Sequence, residues 1–215
     1  MMLCQNHCRQ VDVLFDRRDR SAHDPGVMRA NQQRNQLRII GGIWRGRKVA
    51  FAPVAGLRPT PDRVRETLFN WLGSVVDGAR CLDLFAGSGA LGLEAASRGA
   101  AAVVLVDADP LVVRTLQAQS HTLDAPQVHI VQAESVHFLQ GPAEPFDIVF
   151  VDPPYRRGLL AACARLLEER GWLAADAWIY LEAERGLEPP LPDRWSLYRS
   201  RSTGQLGYHL ARRIA

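Results

Sequence analysis

Arg80-Cys81-Leu82-Asp83-Leu84-Phe85-Ala86-Gly87-Ser88-Gly89-Ala90-Leu91-Gly92 is an apolar run that ends in an acid and an aromatic and passes at once into G-x-G-x-x-G. Such a run, followed by glycines and a helical pattern, reads as a buried parallel strand, a tight turn and a helix, here continuing to Arg98 and stopped by Gly99. Twenty residues after Gly87, Ala102-Val103-Val104-Leu105-Val106-Asp107 predicts a second buried strand that again ends in an acid. That spacing places the acid at the ribose hydroxyls of a nucleoside-bearing cofactor. Phe85, Ala86, Gly87, Ser88 and Gly89 are therefore candidates for the cofactor loop, with Asp83 before them and Asp107 and Ala108 at the next strand end. The sign of Asp83 chooses between cofactors. A pyrophosphate would be a poor neighbour for it, whereas S-adenosyl-L-methionine has no phosphate and carries an ammonium and a sulfonium.

Toward the C-terminus the alternation continues. Leu111 to Leu123 reads as a helix, Val128 to Val131 as a third strand, and Glu134-Ser135 opens a short helix ending near Leu139. Glu134 is placed either to accept an adenine amino group or simply to favour the helix N-terminus, and Ser135 to offer a backbone N–H to the ring. Phe146 to Val151 predicts a fourth strand, buried on both faces, which delivers Asp152-Pro153-Pro154-Tyr155 just beyond the carboxyl edge of the sheet, where open α/β sheets bind ligands. Two prolines in succession fix φ and remove two backbone donors, so the carbonyls of Asp152 and Pro153 face outward as acceptors beside the Tyr155 ring. That bracket suits a planar group bearing an exocyclic amine. Leu159 to Glu169 is a striped helix ended by Gly171, Trp178 to Leu181 a fifth strand, and Pro189, Pro190 and Pro192 mark a loop. Trp195 to Arg199 and Leu206 to Leu210, joined through Ser202-Thr203-Gly204, read as a closing antiparallel hairpin.

Toward the N-terminus, Thr60 is placed as a helix N-cap with Pro61 at the first helical position. Val64, Leu68, Trp71 and Leu72 share one face of that helix, Arg63, Glu66 and Asn70 occupy the other, and Gly73 ends it. Before it, Leu37 to Val49 reads as a Gly-turned hairpin in which Trp44 alternates with cations, an RNA-gripping surface. Residues 1 to 36 show no sustained period and are expected to be disordered, at most a frayed helix around Val11 to Phe15. Met28 leaves a later natural start open. The chain thus divides into a tail (1–36), an N-terminal extension (37–72) and a cofactor-binding domain (73–215).

A chain of 215 residues that is 47% apolar and 23% charged is an ordinary globular composition. No apolar run approaches a membrane span and no signal-peptide core opens the chain, so a cytoplasmic protein is expected. Cys4, Cys8, Cys81 and Cys163 are too scattered for a disulfide framework, and Cys4, His7 and Cys8 lack a second ligand pair for zinc, so no metal is expected. None of His121, His129, His137 or His209 is spaced to serve a nucleophile. The net charge of +3 hides a segregation. Arg38, Arg45, Arg47, Lys48, Arg58, Arg63 and Arg65 outnumber Asp62 and Glu66 in the extension, five arginines and no acid lie after residue 193, and the middle is acidic. Lys48 is the only lysine, and arginine-dominated clusters suit phosphate contacts, so those seven cations are candidates for RNA binding.

Taken together, Leu37 to Gly46, Leu57-Arg58-Pro59-Thr60, Arg63 to Leu72, Asp83 to Ala95 and Asp152-Pro153-Pro154-Tyr155 resemble the bacterial 16S ribosomal RNA guanine-N2 methyltransferase D family over residues 37 to 213. The resemblance implies an α/β fold of the class I, Rossmann-like methyltransferase type, with a seven-stranded, mostly parallel sheet, one antiparallel edge hairpin and a small N-terminal β-hairpin and helix. It implies S-adenosyl-L-methionine as cofactor and one guanine of 16S ribosomal RNA, within an assembling small ribosomal subunit, as substrate of a monomeric enzyme. Gln119 and Glu134 depart from the family pattern, where Asn and Asp or Asn are more usual. Asp152 and the Pro153 carbonyl would hold the amine hydrogens, and the Asp152 carboxylate would balance charge developing on nitrogen. Two other readings share parts of this sequence. A DNA adenine-N6 or cytosine-N4 methyltransferase would use the same bracket but needs a target-recognition domain that is not visible here. An NAD-linked oxidoreductase would use the glycine loop but leaves the bracket unexplained.

Overall fold

The computed structural model describes residues 35–154 and 158–214. Tyr155, the tail up to residue 34 and the helix expected around Val11 to Phe15 lie outside the described residues, as do Cys4, His7 and Cys8.

Among the described residues, nine strands and five α-helices follow in order: β1 (Gln36–Arg38), β2 (Lys48–Ala50), α1 (Asp62–Leu72), β3 (Arg80–Asp83), α2 (Gly92–Ser97), β4 (Ala102–Asp107), α3 (Pro110–Leu123), β5 (Val128–Gln132), α4 (Ser135–Leu139), β6 (Phe146–Val151), α5 (Leu159–Glu169), β7 (Leu173–Glu184), β8 (Trp195–Thr203) and β9 (Leu206–Arg213). β3 to β9 form one sheet in the order β5-β4-β3-β6-β7-β9-β8. β5, β4, β3, β6 and β7 run parallel, and β9 and β8 close the edge antiparallel. Strand order reverses between β3 and β4 on one side and β6 on the other, which opens a crevice at the carboxyl ends of β3 and β6.

The period-two alternation of the strands explains the two cores. Cys81, Val103, Leu105, Ile148, Phe150, Tyr180 and Leu210 point to the side covered by α1, α2 and α3. Leu82, Leu84, Val106, Val149, Val151, Ile179 and Leu181 point to the side covered by α4 and α5. Alternating residues of one strand thus feed opposite layers, as the buried apolar runs required.

β1 and β2 pair antiparallel, Leu37 opposite Val49, but residues 39–47 connect them through a long excursion rather than a tight glycine turn. Backbone N–H groups of Ile43 and Trp44 donate to the carbonyl and hydroxyl oxygens of Ser97, at 2.8 and 3.0 Å, which docks this loop on the end of α2. Trp44 is buried by that docking and offers no stacking face. Gln36 pairs with Ala50, one residue ahead of the boundary expected at Leu37. α1 starts at Asp62 with Pro61, not Thr60, in the N-cap position. β7, β8 and β9 each extend beyond the short strands expected from the sequence, because cross-strand pairing continues through polar residues.

Candidate active site

Four neighbouring strands end in an acid: Asp83 on β3, Asp107 on β4, Asp152 just past β6, and Glu182 near the end of β7. The parallel register puts Asp83 beside Phe150 and Val151 beside Leu181, so Asp152 and Glu182 follow as neighbours at the same edge.

The glycine loop is held tightly against that edge. Gly89 has φ +76°, and a side chain there would meet Leu93 and Leu116; a Cβ at Gly92 would overlap Leu105. Only glycine lets α2 approach the sheet this closely. The Gly92 N–H then donates to Asp83 Oδ2 at 3.1 Å. Asp107 uses Oδ2 to accept from the Gly87 N–H at 2.9 Å and Oδ1 to accept from the Asp109 N–H at 2.9 Å. Its first role is therefore to fasten the loop, while the remaining lone pairs of each oxygen stay available to a ribose hydroxyl. Ala86, Ser88 and Gly89 are buried, Phe85 is half-buried and Ala108 is exposed beside Asp107. Glu134 is exposed at the N-cap position of α4 and makes no side-chain hydrogen bond to that helix. Ser135 is buried, within 3.9 Å of the Cys163 sulfur.

Among the described residues, no cation is among the groups that shift the ionisation of Asp83, Asp152 and Glu182. Burial pushes the Asp83 carboxyl up to about 7, with nearby Asp152 adding to the shift and the Gly92 N–H opposing it. Burial and the neighbouring Glu182 raise Asp152 well above the ordinary carboxylate range. Glu182 is itself lifted to about 7 by burial, against hydrogen bonds from Tyr180, Thr60 and Asp152. The Tyr180 hydroxyl donates to Glu182 Oε1 at 2.8 Å. The lone carboxylate expected at Asp152 is thus one half of a carboxyl pair. Glu182 and Tyr180 are candidate site residues that the sequence motifs do not mark, and Thr60, which ends the Leu57-Arg58-Pro59-Thr60 stretch, is expected from the sequence only as a helix cap. An acid closing the run Trp178-Ile179-Tyr180-Leu181 is the one available signal, the same one that marks Asp83, Asp107 and Asp152.

A glycine cradle beside buried acids that no described cation neutralises fits a ligand that brings positive charge without phosphate, which is the description of S-adenosyl-L-methionine. Asp83, Asp107, Glu134 and the loop from Phe85 to Gly89 would hold it. Among the described residues no group of three or more His, Cys, Asp or Glu is arranged to hold a metal ion. A cleft of about 580 Å³ near the β8–β9 hairpin, lined by Leu187, Pro189, Arg201 and His209 among others, contains none of the four strand-end acids.

Of the cations expected at RNA, Arg38, Arg45, Arg47, Lys48, Arg58 and Arg63 are exposed. Arg65 is not. It is fully buried, donating from Nη2 to Asp62 Oδ1 at 2.6 Å and to the Arg38 carbonyl at 2.9 Å, and from Nη1 to Glu94 Oε2 at 3.3 Å. Charge counting along the chain puts it on the surface; its partners are internal, and RNA has no access to it.

A family model described as conserved hypothetical protein 95 matches residues 37–212. The ribosomal RNA small subunit methyltransferase D of Escherichia coli K12 is 53% identical over 182 residues, 84% of this chain and 91% of that protein. A solved Escherichia coli structure, provisionally assigned as a methyltransferase, superposes with a TM-score of 0.77 at 53% identity, covering 84% of this chain and 99% of that one. The 16S rRNA N2 G1207 methyltransferase of Thermus thermophilus, solved with AdoMet and guanosine, gives a TM-score of 0.63 at 25% identity over 83% of this chain and 49% of its own. The fold is that of a class I, Rossmann-like methyltransferase. With most of its length matched by the family model and half of its aligned residues shared with the Escherichia coli protein, the chain belongs to the ribosomal RNA small subunit methyltransferase D family.

Proposed function

We propose that the protein methylates small-subunit ribosomal RNA, transferring the methyl group of S-adenosyl-L-methionine to the exocyclic N2 amine of one guanine in 16S RNA within an assembling subunit. The observation that carries this reading is Asp152, delivered by β6 to the carboxyl edge beside the glycine loop and followed at once by Pro153 and Pro154.

The guanine N2 lone pair is delocalised into the ring, so the amine must be held before it can react. The Pro153 carbonyl and one oxygen of Asp152 accept its two hydrogens, which favours a tetrahedral nitrogen with an available lone pair. S-adenosyl-L-methionine, when bound, supplies a methyl group on positively charged sulfur. Asp83 and the loop from Phe85 to Gly89 orient that end of the cofactor, while Asp107 and Glu134 meet its ribose and adenine. The negative charge of the Asp152–Glu182 pair faces the nitrogen on which positive charge develops, in a site where burial strengthens the interaction. Tyr155 is assigned to stack on the base. Arg38, Arg45, Arg47, Lys48, Arg58 and Arg63 are assigned to the RNA backbone.

The test is transfer from radiolabelled S-adenosyl-L-methionine to small subunits, free 16S RNA and duplex DNA, followed by nucleoside analysis. Label in N2-methylguanosine from subunits, absent with Asp152→Ala, is the expected result. Label confined to DNA, or full transfer by Asp152→Ala, would overturn the reading.

A further inference from the structure

Glu182 is buried, 4% exposed, on the strand next to Asp152. Its hydrogen-bond partners are the Tyr180 hydroxyl, the Thr60 side chain and the Asp152 carboxyl. Among the described residues, the titratable groups facing it are Asp152 from β6, Asp83 from β3, Tyr180 from its own strand and Tyr208, its cross-strand partner on β9. None is a cation. Two carboxyls in hydrogen-bond contact must share a proton, since two anions cannot bond to one another.

We propose that Glu182 is the terminal proton acceptor of the methyl transfer, reached through Asp152. This rests on the exocyclic-amine reading above. At rest the pair carries one proton and one negative charge, Asp152 donating its O–H to ionised Glu182. Formation of the N–C bond uses the amine lone pair while the S–CH3 bond of the sulfonium breaks, its electron pair staying on sulfur as the neutral thioether leaves, and the nitrogen is left with two hydrogens and one positive charge. One of those protons moves to the free oxygen of Asp152 as the Asp152 O–H proton moves to Glu182. The amine ends neutral with one hydrogen, the pair ends neutral with two protons, and loss of one proton to water resets it. A pair that already holds two protons cannot accept the third, so transfer falls as the pH drops below about 7, where Glu182 becomes protonated.

Two measurements on the full-length chain test this. The first is an infrared titration of carboxyl groups in the cofactor-free protein. Wild type is expected to show carboxyls titrating near pH 7 from the pair and from Asp83, and Glu182→Gln to lose the pair's contribution while keeping that of Asp83. The second is single-turnover methylation of small subunits between pH 5.5 and 8.5 at saturating cofactor. The wild-type rate is expected to fall about tenfold per pH unit below 7, and Glu182→Gln to be about 10²-fold slower at pH 8 with that limb lost. Glu182→Asp should restore the limb. Tyr180→Phe, which only removes a donor to the carboxylate, should move it to higher pH and serves if Glu182→Gln does not fold. An unchanged rate and pH profile in Glu182→Gln, an unmoved limb in Tyr180→Phe, or an unchanged infrared titration would each overturn the proposal. Absence of N2-methylguanosine from the wild-type reaction would instead overturn the substrate reading, and the infrared titration would still decide whether the pair shares a proton.

Discussion

Asp83 is 2% exposed and, among the described residues, has no cationic partner in the groups that set its ionisation. A carboxyl raised from its ordinary range to about 7 by burial stabilises the fold while it is protonated. The unfolded chain ionises this side chain near pH 4, so its contribution is full below that pH and is lost as the pH rises through about 7. Asp83→Asn keeps an oxygen for the Gly92 N–H and removes the buried charge. At pH 8 the cofactor-free variant is therefore expected to be more stable than wild type, by no more than about 4 kcal/mol, and the gap should close toward pH 4. The same change removes the anion assigned to the cofactor ammonium, and S-adenosyl-L-methionine should bind about 10- to 100-fold more weakly. Thermal melts at pH 5 and 8, with calorimetric titration of the cofactor, measure both effects. A variant less stable than wild type at pH 8 would show that the carboxylate is satisfied by a donor other than the Gly92 and Phe85 backbone groups. Stability and binding thus oppose one another at this single position, as expected where a site is preorganised for a missing positive charge.

Helix α1 is joined to the rest of the protein by Arg65. Its guanidinium gathers the Arg38 carbonyl from β1, the Thr60 carbonyl from the connector, Asp62 from its own helix and Glu94 from α2. Glu94 in turn accepts from the Ile40 and Gly41 N–H groups at 2.8 and 2.7 Å and from Arg98 Nε at 2.8 Å. Arg65→Met leaves a fully buried Glu94 without one of its two guanidinium partners, and a loss of about 3–5 kcal/mol is expected in urea denaturation. The double variant Arg65→Met, Glu94→Gln should recover part of it, because the uncompensated charge is gone; a fully additive double variant would show that the two side chains are not coupled. The elements themselves are legible in the sequence. β4, β6 and α5 occupy the expected residues because apolar period, acid-terminated strands and glycine stops agree there. The burial of Arg65 is legible too, though not from its charge. It lies three, four and seven residues before Leu68, Phe69 and Leu72, on the helix's buried face, and a count of charges along the chain discards that phase. The Asp152–Glu182 pair is not legible, because it depends on the register between β6 and β7, which no local pattern encodes.

At the scale of the whole molecule, the four strand-end acids meet at the crevice, and exposed cations stand on the segments beside it. Thr60 reaches Glu182, so Arg58 and Arg63, two residues before it and three after, flank the site by covalent connection alone. Arg45, Arg47 and Lys48 are exposed on and beside the loop that the Ser97 hydrogen bonds fix against α2, and Arg47 Nη2 donates to the Thr122 carbonyl at 3.0 Å, which holds that side chain against α3. On the far edge Tyr198, Arg199 and Arg201 are exposed on β8, with Arg201 over the Trp71 ring at 5.9 Å. An anionic polymer approaching this surface meets positive charge at the rim while the interior repels its phosphates, so a base, and not the backbone, is favoured in the crevice. If the 39–47 loop grips backbone phosphates, removing Arg45 and Arg47 together should weaken binding to 16S RNA and make it less salt-dependent. The slope of log affinity against log salt should become shallower by roughly 0.7–0.9 for each phosphate that is no longer neutralised. The single-turnover rate at saturating RNA should stay at the wild-type level, since neither side chain reaches the crevice acids. Arg65→Met provides the control, because a buried guanidinium contributes nothing to counterion release and its slope should match wild type. Equal slopes in the Arg45, Arg47 double variant and wild type would leave these two arginines as solvated charges on a docked loop and move the RNA-binding role to Arg58, Arg63 and the β8 face.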